Sequence, residues 1–241
     1  MNTPKTLSPS RAGLAALFVA LALAACGGDK PDALLASARD YLAKNEPKAA
    51  VIQLKNALEK NPELPEARLL LGQALLRVGD PVGSETELRK ALALKSPPEK
   101  VAPSLARAML AQGQVKKMTD EFGATELAEP AAQADLKTSL AAALMAQGKA
   151  EPGQAALKAA LVADPKFTPA LLMQARDKAN QKDFDGALVM VDAILAGAAT
   201  DEGAWKLKGD ILSFGKKNPA EALIAYQKSV EVKPDFLAGH A

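Results

Sequence analysis

The stretch Pro65–Pro98, PEARLLLGQALLRVGDPVGSETELRKALALKSPP, reads as two short helices joined by a tight turn. Leu71 and Leu75 recur at helical spacing in its first half, and Leu88 and Ala91 do so in its second. Between them, Val78-Gly79-Asp80-Pro81 places a glycine where a helix C-cap needs a left-handed residue. Gly72 leaves room for the two helices to approach closely. Ser84 stands where a small residue has to accept the partner helix. The stretch is therefore a helix pair built for close packing.

The same design recurs along the chain. Prolines at Asn61-Pro62, Asp164-Pro165 and Lys233-Pro234 each follow an apolar-periodic segment and stop it, because proline lacks an N–H. Blocks fall at 31–64, 65–98, 99–133, 134–167, 168–201 and 202–236, and their starts are 34, 34, 35, 34 and 34 residues apart. A period of about 34 is the tetratricopeptide (TPR) value. Positions inside the blocks agree with it: Leu34, Ala38, Tyr41, Ala50, Leu54, Ala57 and Pro62 in the first, Leu140-Ala141, Leu144, Leu157, Ala160 and Pro165 in the fourth, Trp205, Gly209, Tyr226 and Pro234 in the sixth. The third block is degenerate, with Met118 where alanine belongs and Pro130 as its closing proline. The fifth ends without proline, and the sixth carries one extra residue, assigned to its turn Gly215-Lys-Lys-Asn-Pro219. The expected fold is all-α: a tetratricopeptide-repeat solenoid, a right-handed superhelix of antiparallel helix pairs whose first helices line a concave groove. An unrelated bundle of alanine-rich helices is the alternative. Residues 237–241 look like the start of a further repeat, so the chain is expected to continue.

The beginning of the chain has a different purpose. Lys5 and Arg11 precede the apolar run Ala12–Ala25, which is too short to span a bilayer and ends at Gly27-Gly28-Asp29-Lys30. That is the layout of a secretory signal, residues 1–25. Leu23-Ala24-Ala25-Cys26 resembles the lipobox of bacterial lipoproteins. The resemblance implies cleavage before Cys26, lipidation of its sulfur and anchoring to a membrane through residues 26–30. An ordinary signal peptide with a cysteine near its cut is the other reading. Cys26 is the sole cysteine, so the chain can form no internal disulfide. Gly27 after the cysteine, instead of aspartate, points to the outer membrane of a Gram-negative envelope.

Composition excludes several functions. Of 30 Lys+Arg and 28 Asp+Glu, the leader removes two cations, leaving a neutral mature protein without the basic surplus of a nucleic-acid binder. The one histidine, His240, lies near the chain end, so no His-based triad or metal cluster is expected. No glycine-rich phosphate loop occurs. The chain is read as non-enzymatic, with no cofactor or metal.

What remains is the groove. The ninth positions of the first helices are Arg39, Gln73, Arg107, Ala142, Arg176 and Asp210; the twelfth are Leu42, Leu76, Leu110, Met145, Ala179 and Ser213. A polar row of Arg39, Gln73, Arg107 and Arg176 beside an apolar row of Leu42, Leu76, Leu110 and Met145 would suit an extended peptide, its carboxylates or carbonyls gripped by guanidinium forks. The competing reading has these arginines paired with neighbouring acids on the helix surface. A glycan partner fits less well, because the chain is only 4% aromatic and Trp205 falls at a packing position.

The wording of Ala33–Arg77 and Asp120–Lys149, with the lipobox, is similar to the TPR-repeat lipoproteins of the exosortase/PEP-CTERM protein-sorting system. That resemblance covers most of residues 1–150 and fades to a generic repeat pattern afterwards. It implies a scaffold for envelope proteins or peptides in protein sorting and exopolysaccharide export, in the periplasm. A polysaccharide-contacting export lipoprotein is the alternative function. The family supplies no catalytic residues to carry over.

Overall fold

A computed structural model describes residues 30–232. The leader, Cys26, Pro234, His240 and the expected further repeat at 237–241 lie outside the described residues. Within them the chain forms twelve α-helices in six consecutive pairs and no strand. The pairs are α1 (Pro31–Ala43) with α2 (Pro47–Lys60), α3 (Pro65–Arg77) with α4 (Pro81–Ala93), and α5 (Pro98–Ala111) with α6 (Val115–Phe122). They continue as α7 (Pro130–Ala146) with α8 (Ala150–Ala163), α9 (Thr168–Asn180) with α10 (Phe184–Gly197), and α11 (Glu202–Asp210) with α12 (Pro219–Glu231). Seven of these helices have proline as first residue, where its fixed φ suits the helix and its missing N–H would have been unpaired anyway.

The turn within each pair uses one residue at positive φ. It is Gly79, Gly113 and Gly148 in three units, at φ 83°, 70° and 74°, and Asn45, Lys182 and Lys217 in the others. After that residue the chain closes back on the helix, as when the Asp80 N–H donates to the Leu75 carbonyl at 2.9 Å. Gly72 shows why close packing excludes a side chain: a Cβ there would lie 2.5 Å from Leu88 Cγ.

Each first helix from α3 onward also packs on the first helix of the next unit, so α3, α5, α7, α9 and α11 form a continuous layer. The core follows this layer as successive apolar clusters. One joins α1 to α3 around Leu54 and Leu71, a large central one spans α3 to α9 around Leu105, Met109 and Leu136, and a third links α9 to α11 around Val191.

Two local expectations need correction. Pro130 does not close the third unit. It opens α7, which begins four residues before the expected block start at 134 and runs for 17 residues, while α6 has only 8. Gly123–Glu129 fills the gap, held by Lys137: its ammonium donates to the Thr125 carbonyl at 3.1 Å and to Glu126 at 2.6 Å. Met118 and Phe122 are both buried in the central apolar cluster. The extra residue of the sixth unit is also not in its turn. It is absorbed by a π-helical segment, Ile211–Gly215, where the Lys216 N–H bonds to the Ile211 carbonyl at 3.0 Å. Lys217 then begins a turn of the usual length.

Candidate binding groove

The ninth-position row meets the second-position row of the following unit. Arg39 grips Glu66 with two contacts, Nε to Oε1 at 2.9 Å and Nη2 to Oε2 at 2.6 Å. Arg107 repeats the relation two units on but more loosely: its Nη2 lies 3.4 Å from Asp135 Oδ2 and 3.3 Å from Ser104 Oγ. Gln73 faces the corresponding position of the next unit, which is Lys100, and Arg176 is exposed opposite a glycine, Gly203. Two of the three arginines are thus paired across a unit boundary, one tightly.

The first helices α3, α5 and α7 wall a cavity of about 700 Å³. Of the residues singled out from sequence, Gln73 and Arg107 line it, and Arg39 and Arg176 do not. Leu42, Leu110 and Met145 pack against the core clusters, and Leu76 is half-buried. The cavity takes its apolar surface instead from Leu69, Leu70, Pro103 and Phe167. Its charged walls are Glu66, Glu99, Glu129 and Asp135 against Lys95, Lys100 and Arg107. Lys100, Ser104 and Arg107 stand at successive turns of α5, so one helix face presents two cations and a hydroxyl to the cavity. Pro103, inside α5, removes the N–H that would have bonded the Glu99 carbonyl.

Asp135 is mostly buried, and burial pushes its carboxyl above the ordinary value, while Arg107 pulls it back only in part. The Lys100, Ser104 and Asp135 contributions were not singled out in the sequence. Reading the second-position row alongside the ninth would have found Lys100 and Asp135.

A second polar centre joins the second and third units. Glu85, buried on α4, accepts from Arg89 Nε at 2.8 Å, Gln112 at 2.8 Å, Lys117 at 3.1 Å and Gln114 at 2.9 Å. Burial alone would raise its carboxyl, but these four donors outweigh it and hold it at about 2. Arg89 also reaches Glu121 on α6 with two contacts, at 3.1 and 3.0 Å. The network fastens the short helix α6 to α4. Among the described residues no cluster of three or more His, Cys, Asp or Glu side chains is placed to hold a metal ion, and no helix is long and apolar enough to cross a membrane.

No family model and no curated protein matches the chain. Solved structures do. PilW, described as a widely conserved type IV pilus biogenesis factor, matches at a TM-score of 0.60 over 86% of this chain and 94% of its own, with 16% identity. A tetratricopeptide repeat protein from Parabacteroides merdae matches at 0.53 over 82% of this chain and 78% of its own, with 16% identity. The chain folds as a tetratricopeptide-repeat solenoid. PilF of Pseudomonas aeruginosa shares the TPR arrangement at a TM-score of 0.58, covering 87% of this chain and 97% of its own at 16% identity. At such identities the likeness concerns the fold alone.

Proposed function

We propose that this TPR chain is a non-catalytic, membrane-anchored scaffold whose groove holds an extended segment of a partner protein. The observation that carries the reading is the cavity between α3, α5 and α7, which combines an apolar surface with charged walls of both signs. An extended segment has side chains on both faces and unpaired backbone groups, and such a wall can meet all three. The cavity hydroxyls, Ser96 and Ser104, contact a carbonyl and a guanidinium, not a base. Phe167 is the single aromatic residue on its lining, a poor platform for a sugar.

The anchor is Cys26, the last residue of the lipobox Leu23–Cys26, with the solenoid starting five residues later at Pro31. The tether keeps the start of the solenoid, Pro31, within about 17 Å of the bilayer surface. The resemblance to exosortase/PEP-CTERM lipoproteins suggests the setting: envelope protein sorting and exopolysaccharide export, from the periplasmic side of the outer membrane.

Two experiments test this. A photo-cross-linking residue at position 73, in the full chain expressed in a Gram-negative host, should capture defined envelope proteins that the same residue at exposed position 59 does not. Capture of the same set from both positions would refute the groove. Separately, Cys26→Ser should move the protein out of the membrane fraction, and unchanged membrane retention would refute the anchor.

A further inference from the structure

The groove already holds an anion where a partner's would go. Building on the reading above, we propose that Asp135 competes with the acidic side chains of a bound segment for Arg107, acting as an internal brake on a site formed by Lys100, Ser104 and Arg107 of α5. Arg39 and Arg107 have the same relation to the next unit, yet their pairs differ. Glu66 takes the fork of Arg39 at 2.6 and 2.9 Å, whereas Asp135 comes to 3.4 Å from Nη2 of Arg107 and makes no hydrogen bond to it. The Arg107 side chain remains half exposed, and its guanidinium donates a hydrogen bond to Ser104 Oγ but to no acid among the described residues. A second carboxylate can therefore reach the guanidinium.

Lys100 supplies the other half of the site. It stands seven residues before Arg107 on the same helix face, about 10 Å away along the axis. Gln73 of α3 holds the matching position of the preceding unit, and although Glu66 and Glu99 share the cavity wall, Lys100 is in no ion pair among the described residues, whereas Arg107 pairs with Asp135. A carboxylate lying between the two cations is attracted by both and repelled by the acids of the wall, among which Asp135 is the one paired with Arg107. The repulsion is strong for a surface site because Asp135 is mostly buried and poorly screened, the same circumstance that raises its carboxyl. Asp135 thereby sets a threshold, rejecting segments too weakly acidic to overcome it.

The test uses the full chain in detergent and three fluorescein-labelled peptides that alternate leucine with glutamate, glutamine or lysine. Anisotropy titrations should show the glutamate peptide binding most tightly. Asp135→Asn keeps the shape and an acceptor oxygen while removing the charge. It should tighten the glutamate peptide by about fivefold, as expected for a partly exposed charge pair, and leave the glutamine peptide unchanged. Lys100→Gln should weaken the glutamate peptide alone. Glu59→Gln, exposed on α2, controls for net charge and should do neither. If Asp135→Asn leaves glutamate binding unchanged, or tightens both peptides alike, the brake is refuted while the groove stands. If none of the three peptides binds, the groove itself is refuted, and the brake with it.

Discussion

Met118 offers a test of how the third unit departs from its neighbours. It occupies the place held by Ala50 in the first unit and Ala187 in the fifth, all three fully buried. Elsewhere a small residue is needed there because a full-length second helix lies close to the first. In the third unit α6 has only 8 residues and meets α5 less extensively than the second helices of the other units meet their first, and the Met118 side chain is part of the central core there. Met118→Ala therefore restores the residue the repeat pattern asks for and leaves a hole. The expected loss is about 2–4 kcal/mol, in the range for truncating a buried methionine. For an array of this size that is a fall in Tm of roughly 4–15 °C. Ser84→Ala makes the same replacement one unit earlier and should act in the opposite direction. Ser84 is fully buried and its hydroxyl has no hydrogen-bond partner among the described residues, so alanine should stabilise by about 1 kcal/mol. Urea unfolding followed by far-UV circular dichroism reads both changes. A Met118→Ala variant as stable as the parent would refute the reasoning, because it would mean that the short α6 leaves no space to fill.

The Glu85 network makes a pH-dependent prediction. Glu85→Gln places amide hydrogens among four donors and should cost about 2 kcal/mol at neutral pH, discounted because Arg89 and Lys117 reach solvent. The folded carboxyl titrates at about 2 against an ordinary 4.5, so its contribution is complete above 4.5 and lost as pH falls towards 2. The stability gap between parent and variant should close over that window, and a gap constant down to its lower end would exclude the charge as its source. Two glycines separate space from backbone. Gly72→Val should cost about 1–3 kcal/mol through collision with Leu88, whose backbone nitrogen lies 3.2 Å from the added Cβ and cannot rotate away. Gly79→Ala meets nothing within 4 Å, yet should cost about 1–2 kcal/mol because its φ is 83°. Thermal melts of the two variants, with similar losses from unlike causes, check both.

The helix pairs were legible because their determinants are local. Gly72, Gly79 and Ala50 each answer to one neighbouring helix or one turn, and the 34-residue spacing repeats the answer. The exceptions arise where the constraint comes from elsewhere. Counting shows an extra residue in the sixth unit but not its place, since a turn and a π-helical segment absorb it equally well on paper. Phe184 occupies the space that a side chain on Gly215, the last residue of that segment, would need, a constraint that joins two units and leaves no mark in either alone. Pro130 looked like a terminator because proline serves both ends of a helix, and the short α6 is set by how Met118, Phe122 and Lys137 pack. The groove was half legible for the same reason. Arg39 and Arg107 stand out as a row, but Glu66 and Asp135 follow 27 and 28 residues later, in another unit. Glu85 and its donors at 112, 114 and 117 are as far apart.

The irregular unit and the cavity are connected. A second helix of full length in the third unit would leave no room for α7 to start early. Because α6 stops at Phe122, α7 gains a turn from Pro130, and that turn brings Ala131 and Ala132, with Glu129 at its cap, onto the cavity wall. Glu129 accepts from the Ala132 N–H at 3.2 Å, which fixes the turn where it borders the space between α5 and α7. The ninth-to-second ladder carries ion pairs at this end of the array and then loses them: the matching positions are Ala142 with Pro169 and Arg176 with Gly203. Wall and charge therefore coincide at α3, α5 and α7. Restoring the repeat pattern in the third unit would improve the sequence as a solenoid and remove one side of the site, so the departures at Met118 and Pro130 are better understood as the means by which a uniform fold acquires one distinct place to bind.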